Sequence, residues 1–211
     1  ELRETEKGAF VFASVVEKGR PAIEVLGPIL SQAVTELTFP KTMRWGEGDF
    51  RFCRPLRWLV ALLGEQIIPV EVDGTVSGAI TRGHRVFGSD EVRLSTPADY
   101  LPLLRENYVI ADHQERRQLI AEKVGKATGD VGGRPRLHEE LLNEVTFLVE
   151  YPTPVVGSFD KRFLQLPETV VVKVLEGHQR FFAVEAPSGR LLPCFVGVRN
   201  GTDEGLEQVR R

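Results

Sequence analysis

The spacing of apolar residues changes period several times along this chain, and that alternation limits the possible folds more than any single motif. Leu26, Ile29, Leu30, Ala33, Val34 and Leu37 recur at the i, i+3, i+4, i+7 spacing of one buried helix face. Pro21 starts that helix, Pro28 falls inside it as a continuing turn or a kink, and Phe39-Pro40 stops it, because the residue before proline is pushed out of the α region. Ahead of the helix, residues 10–16 are β-rich and lie between Gly8 and Gly19, so they read as an opening strand. Behind it the period drops to two. Ile68, Val70 and Val72 point one way and Pro69, Glu71 and Asp73 the other, after an apolar run over 58–63, with Gly64-Glu-Gln between them as a hairpin loop. Asp73-Gly74 and Ser77-Gly78 mark further turns.

Residues 90–150 return to helical signals. Thr96-Pro-Ala-Asp99 is a capping box with proline at the first helical position, and Asp112-His-Gln-Glu115 is a second, Asp-led start. The helix after Asp112 carries Leu119, Ile120 and Val124 inward and frays into Gly125 to Gly133. Leu141, Leu142, Val145, Leu148 and Val149 form a third apolar face, ended by Tyr151-Pro152. Val170, Val171, Val174 and Leu175 have helical spacing despite their β propensity, with Gly177 where a C-terminal cap belongs. Strands follow over 178–184 and 191–198, joined across Ala186-Pro-Ser-Gly189. These segments predict an α+β fold with an antiparallel or mixed sheet and a helical insertion or layer at about 95–150. A single domain covers residues 1–200, and residues 201–211 start a linker or the next helix.

Charge is concentrated in one place. Between Phe39 and Trp58 stand Lys41, Arg44, Arg51, Arg54 and Arg57 together with both tryptophans, interrupted only by Glu47 and Asp49. A guanidinium seeks a carboxylate or phosphate fork, and an indole needs an apolar bed with an outlet for its N–H. The stretch therefore either grips something anionic or is a loop braced by internal pairing with the two acids. A second concentration, Thr81-Arg-Gly-His-Arg-Val-Phe-Gly88, sets two arginines around a glycine and a histidine, so that backbone and guanidinium groups approach the same anion. The net charge of −3 argues against general nucleic-acid binding, so any RNA contact is local.

Much chemistry is missing from the pattern. There is no phosphate-binding glycine loop of the P-loop or dinucleotide type and no nucleophile-elbow motif. Two cysteines, Cys53 and Cys194, lie far apart in apolar segments and read as buried thiols of a reducing cytosol, and no zinc spacing exists. His113 and His138 read as polar residues at helix starts. His84 and His178 each sit beside an arginine at a strand edge. No run of about 18 apolar residues offers a membrane span. The chain begins with Glu and reads as a piece of a longer protein, with no catalytic residue assigned.

Several stretches together resemble one family. They are Lys18-Gly-Arg-Pro21, Phe39-Pro-Lys-Thr-Met-Arg-Trp-Gly46, Phe52-Cys-Arg-Pro-Leu-Arg-Trp-Leu59, Thr81-Arg-Gly-His-Arg85, Leu104-Arg-Glu-Asn107, Glu144-Val145, Glu150-Tyr-Pro152, Gly157-Ser-Phe159, Gly177-His-Gln-Arg-Phe-Phe182 and Leu191-Leu-Pro193. In order and spacing the set resembles the beta subunit of bacterial heterotetrameric glycyl-tRNA synthetase, in its N-terminal-to-middle part. The resemblance implies a cytoplasmic enzyme that attaches glycine to tRNA(Gly) using ATP. Its alpha subunit would hold the glycine, ATP and magnesium site, while the beta subunit binds tRNA. This segment would then be catalytically inert alone, with no cofactor or metal of its own. Its partners would be tRNA(Gly), the alpha subunit and the remainder of the beta subunit. The candidate RNA-binding residues are Lys41, Arg44, Trp45, Arg51, Arg54, Arg57, Arg82, His84, Arg85, His178 and Arg180. Two alternatives stand beside that reading. One is a scaffold that docks the alpha subunit without touching RNA. The other is a hydrolytic fold like the editing module of the phenylalanyl-tRNA synthetase beta subunit, in which His84 and His178 would be the residues to inspect.

Overall fold

Pro21 does set the start of the first helix. Its fixed φ of −54° and extended ψ lead into α1 (Ala22–Thr35), with Glu24 in the first turn and Pro28 accommodated inside. The structure is a computed structural model that describes residues 2–206 apart from 7, 12, 14, 17 and 47; the side chains of residues 2, 3, 5 and 10 are likewise not described. It divides between Gly78 and Ala79 into two compact units, and its helices and antiparallel and mixed sheets make it an α+β protein.

In the first unit, β1 (Leu2–Thr5) and β2 (Gly8–Val11) form a hairpin. The strand predicted over 10–16 thus survives only at its start. Phe12 and Ser14 lie outside the described residues, and Ala13, Val15 and Val16 are not in a strand. After α1 come short pairs: β3 (Met43–Arg44) with β4 (Arg51–Phe52), and β6 (Leu62–Leu63) with β7 (Gln66–Ile67). A mixed three-stranded sheet joins β5 (Leu59–Val60), β8 (Glu71–Val72) and β9 (Thr75–Gly78), with β5 parallel to β9. Ile68, Val70 and Val72 are buried, as their alternation predicts, and Ile23, Leu26, Leu30 and Val34 of α1 pack on them. The helix stripe is narrower than predicted: Ile29, Ala33 and Leu37 are exposed. Asp73 and Gly74 have φ of 49° and 74° and make the two-residue turn joining β8 to β9. Ser77-Gly78, expected as a turn, belongs to β9. The Ser77 hydroxyl donates to the Ile68 carbonyl at 2.6 Å and accepts from the Val70 N–H at 2.9 Å, which keeps this segment in register.

The second unit opens with β10 (Ile80–Thr81) paired to β11 (Val92–Arg93). The Thr96 N–H donates to Asp99 at 2.7 Å, starting a 3₁₀ turn that continues as α2 (Tyr100–Glu106). The carboxylate of Asp112 accepts from the N–H groups of Gln114 and Glu115 at the start of α3 (His113–Gly129). That helix does not fray at Gly125. Burial of Val124 and Thr128 carries it on, and the Thr128 hydroxyl donates to the Val124 and Gly125 carbonyls. Next come β12 (Arg134–Pro135), α4 (Glu139–Leu148), β13 (Pro152–Ser158), α5 (Glu168–Val172) continuing as a π-helical turn over Lys173–His178, β14 (Phe182–Glu185) and β15 (Leu191–Asn200). The antiparallel sheet runs β12-β14-β15-β13. Phe182 and Val184 point to one face, where Ile120 and Val124 of α3 and Leu141, Leu142 and Val145 of α4 cover them. Ala183 points to the other face, beneath Val171 and Leu175. The helix predicted through Leu175 is therefore present, although Val170 and Val174 are exposed, as is Leu148 of α4.

Two outcomes follow. A Cβ added at Gly27 would lie 2.4 Å from the Pro69 carbonyl oxygen, so Gly27→Ala should lower stability by about 1–3 kcal/mol in denaturant melts despite alanine's better helix propensity. Backbone hydrogen bonds from Gln114 and Glu115 hold the Asp112 carboxyl below its ordinary pKa of 3.8. A depressed folded pKa stabilises the fold above the unfolded value and is lost as pH falls below it. Acid unfolding should therefore show a contribution that disappears below about pH 4 and is absent in Asp112→Asn, while an unchanged acid profile in that variant would refute the cap.

Candidate nucleic-acid interface

The Arg/Trp stretch is built on the β3–β4 pair. Trp45 is half-buried and its Nε1–H donates to the Phe52 carbonyl at 3.0 Å, while Phe39 meets the Phe52 ring edge-on at 4.8 Å and Phe50 stacks on it at 5.6 Å. The aromatic side chains thus brace the ribbon from below. The register then sets Arg44 directly opposite Arg51. Cross-strand partners share a face, and like charges there repel. Asp49 approaches Arg44 at 3.4 Å, an exposed and weak pair. Arg51, Arg54, Arg57 and Lys41 are exposed and have no ion-pair partner among the described residues. Glu47, the other acid of the stretch, lies outside the described residues. Among the described residues, internal pairing therefore accounts for one of the five cations. Leu56 is half-buried against the Ile68–Val72 core, which anchors the segment that carries Arg54 and Arg57. Cys53, expected to be buried, follows directly on β4 and is exposed. Cys194 is half-buried and its thiol pKa is raised by burial.

In the second unit the Thr81–Gly88 segment folds around its histidine. His84 is buried; its N–H donates to the Asn107 carbonyl at 2.8 Å, and its Nδ1 accepts from the Val86 and Phe87 N–H groups at 3.2 and 3.4 Å. The ring also packs on Phe87 at 5.1 Å. His84 shapes the loop, and Arg82 and Arg85 on either side of it are exposed. His178 ends the π turn and is exposed. Arg180, at φ +58°, donates from Nε to Glu144 at 2.5 Å and from Nη1 to the Gly177 carbonyl. It closes the π turn against α4. Neither His84 nor His178 lines any of four cavities seen among the described residues of the second unit. Among the described residues no group of His, Cys, Asp or Glu is placed to hold a metal ion. One pair went unread in the sequence: His138 Nδ1 and Glu176 Oε2 are 2.6 Å apart, joined across 38 positions that no local pattern links.

The chain matches the family model described as glycyl-tRNA synthetase beta subunit over residues 1–211. It belongs to that family. It is 46% identical over 209 residues to the glycine–tRNA ligase beta subunit of Moorella thermoacetica, covering 99% of this chain and 30% of that protein. The corresponding protein of Shouchella clausii is 44% identical over 211 residues, with 100% and 30% covered, and that of Desulfitobacterium hafniense strain Y51 is 40% identical over 209 residues, with 99% and 30% covered. The chain thus spans about 30% of the length of these relatives. Within this beta-subunit segment, the stretches that carried the resemblance build both the Arg44–Arg51 ribbon and the Arg180 closure.

His84→Ala would leave two loop N–H groups without an acceptor, so it should lower the unfolding free energy by about 1–3 kcal/mol. Arg85→Ala should leave stability within about 0.5 kcal/mol. Thermal melts of the two variants check this, and equal losses would show that Arg85 is a brace as well.

Proposed function

We propose that this segment serves a glycine–tRNA ligase as a part of the beta subunit that grips the backbone of tRNA(Gly). The observation that carries the reading is Arg44 opposite Arg51 on one face of an exposed ribbon, followed by exposed Arg54 and Arg57. Two guanidiniums held side by side repel until an anion lies between them, and adjacent phosphates of an RNA strand supply that anion. Lys41 belongs to the same stretch. Arg82 and Arg85 supply a second contact in the other unit. Trp45, His84 and Arg180 act by shaping these surfaces, and His178 stands exposed beside Arg180. The segment contributes no catalytic residue. Glycine, ATP and magnesium belong to the alpha subunit of the heterotetramer, and tRNA charging to the whole assembly in the cytoplasm. Among the described residues no helix is long and apolar enough to cross a membrane.

A docking role for the alpha subunit has its own support in the second unit. Phe163, Leu164, Leu166, Val170 and Val174 are exposed on the 3₁₀ turn at 161–165 and on α5 and its π extension. Titrating the full-length beta subunit with tRNA(Gly) across a salt series separates the readings. Arg44→Ala combined with Arg51→Ala should weaken binding and reduce the log–log salt slope by roughly 1.5, two phosphate contacts' worth, with the fold intact. An unchanged slope would move the function to docking, for which Leu166→Glu should then weaken association with the alpha subunit.

A further inference from the structure

A cavity of about 420 Å³ lies between α4 and the α5–π segment in the second unit. That is within the range of about 300–1,000 Å³ common for small-molecule sites. Most of its charged lining is already paired. Arg136 is held by Glu168 at 2.7 Å and Glu185 at 3.3 Å. Arg180 is held by Glu144 and by the Gly177 carbonyl. Two groups remain. The Glu176 side chain is nine-tenths buried, and its Oε2 takes the His138 contact at 2.6 Å. Its Oε1 is shielded from water with no hydrogen-bond partner. Lys173, three residues earlier on the same turn, is exposed and has no ion-pair partner among the described residues. Its chain lies along Gly177, where an added Cβ would stand 3.3 Å from the Lys173 Cδ.

The π turn makes this arrangement. The Gln179 N–H donates to the Val174 carbonyl at 3.1 Å, five residues back, and the Phe181 N–H to the Leu175 carbonyl at 2.9 Å. Such widened turns are rare in proteins and are frequently found at functional sites. Here the turn leaves a buried acceptor without a donor and, beside it, a cation without an acceptor. A simple anion on Lys173 would leave Glu176 unanswered and add like charge beside it. A simple cation on Glu176 would do the same to Lys173. A ligand carrying both signs answers both groups at once.

We propose that this cavity binds a free α-amino acid, its ammonium donating to Glu176 Oε1 and its carboxylate resting on Lys173. His138 fixes the Glu176 carboxylate through Oε2, which leaves Oε1 to the ligand. Lys173, exposed and flexible, is the side chain that shifts to admit it, while His138 stays on Oε2. The inference does not depend on the RNA contact proposed above, since it concerns other residues and needs no tRNA.

The test is calorimetric titration of the full-length beta chain, without the alpha subunit, using a panel of free amino acids with acetate and methylamine as half-ligands. At least one amino acid should bind saturably, about tenfold or more tighter than either half-ligand, as expected when two charge-assisted contacts act together. Glu176→Gln and Lys173→Ala should each weaken it by about tenfold or more, with Lys173→Arg retaining most of the affinity. Lys173 is exposed, so its variants keep the fold if Glu176→Gln does not. Absence of saturable binding by any amino acid would overturn the proposal. So would equal binding by acetate or methylamine, or binding that Lys173→Ala leaves unchanged.

Discussion

The second unit depends on how one buried cation is satisfied. Arg116 of α3 is out of water and meets no carboxylate in a hydrogen bond. Its Nε donates to the Thr146 carbonyl at 2.8 Å, and its Nη1 donates to the carbonyls of Ile110 and, at 3.5 Å, Ala111. Burial lowers its pKa, and the charge of Glu150 works the other way. A guanidinium has donors only, so an end of a helix and a chain turn, both rich in unpaired carbonyls, suit it. This draws together α3, the last turns of α4 and the segment after α2. The entry to β13 is then pinned: the Ile110 N–H reaches the Glu150 carbonyl at 2.9 Å, and Asn200 accepts from the N–H groups of Glu150 and Tyr151. The β13–β15 pairing begins where these bonds end, at Pro152 opposite Asn200.

Against that completeness, the region around the π turn is instructive. Arg180, Arg136 and His138 each find a carboxylate, so charge pairs tie the residues flanking α4 and the π turn to these elements and to α5. Such pairs are expensive to desolvate and contribute modestly to stability. What they do well is fix directions, and here they fix Glu176 with one oxygen bound and the other bare. Among the described residues the only other buried side-chain atom so placed is Arg117 Nη1 of α3.

The sequence was legible where packing follows one period. Ile68, Val70 and Val72 alternate because one face of their segment is wet, and Leu141, Leu142 and Val145 repeat helically because α4 covers one sheet face. Capping residues were legible for the same local reason. β13 was not. Pro152 and Pro154 punctuate it as a loop would, yet they stand two residues apart, so both missing N–H groups fall on one side of the strand, the open edge of the sheet. Ile29 follows the helical spacing but is exposed, since the face of α1 that packs on Ile68, Val70 and Val72 is the one carrying Ile23, Leu26, Leu30 and Val34, and Leu37 lies beyond the helix end at Thr35. Among site residues, the basic stretch could be read from its density alone. The burial of His84 could not, since it rests on Asn107 and on loop N–H groups that no spacing announces. Nor could Glu176, whose partner is 38 positions away.

A net charge of −3 looks poorly suited to an RNA surface, but net charge is the wrong quantity for a short contact. At physiological ionic strength exposed charges are screened over about 8 Å. A phosphate lying on the β3–β4 ribbon therefore feels chiefly the charges beside it, Arg44, Arg51 and Asp49. On the proposed reading, the chain's overall acidity suppresses indiscriminate binding to polyanions, and the two facing arginines of one ribbon supply attraction where strand geometry already holds them apart at fixed spacing. Specificity for one tRNA would then have to come from where this ribbon is held in the full-length subunit, because phosphate contacts set position and carry no sequence information of their own.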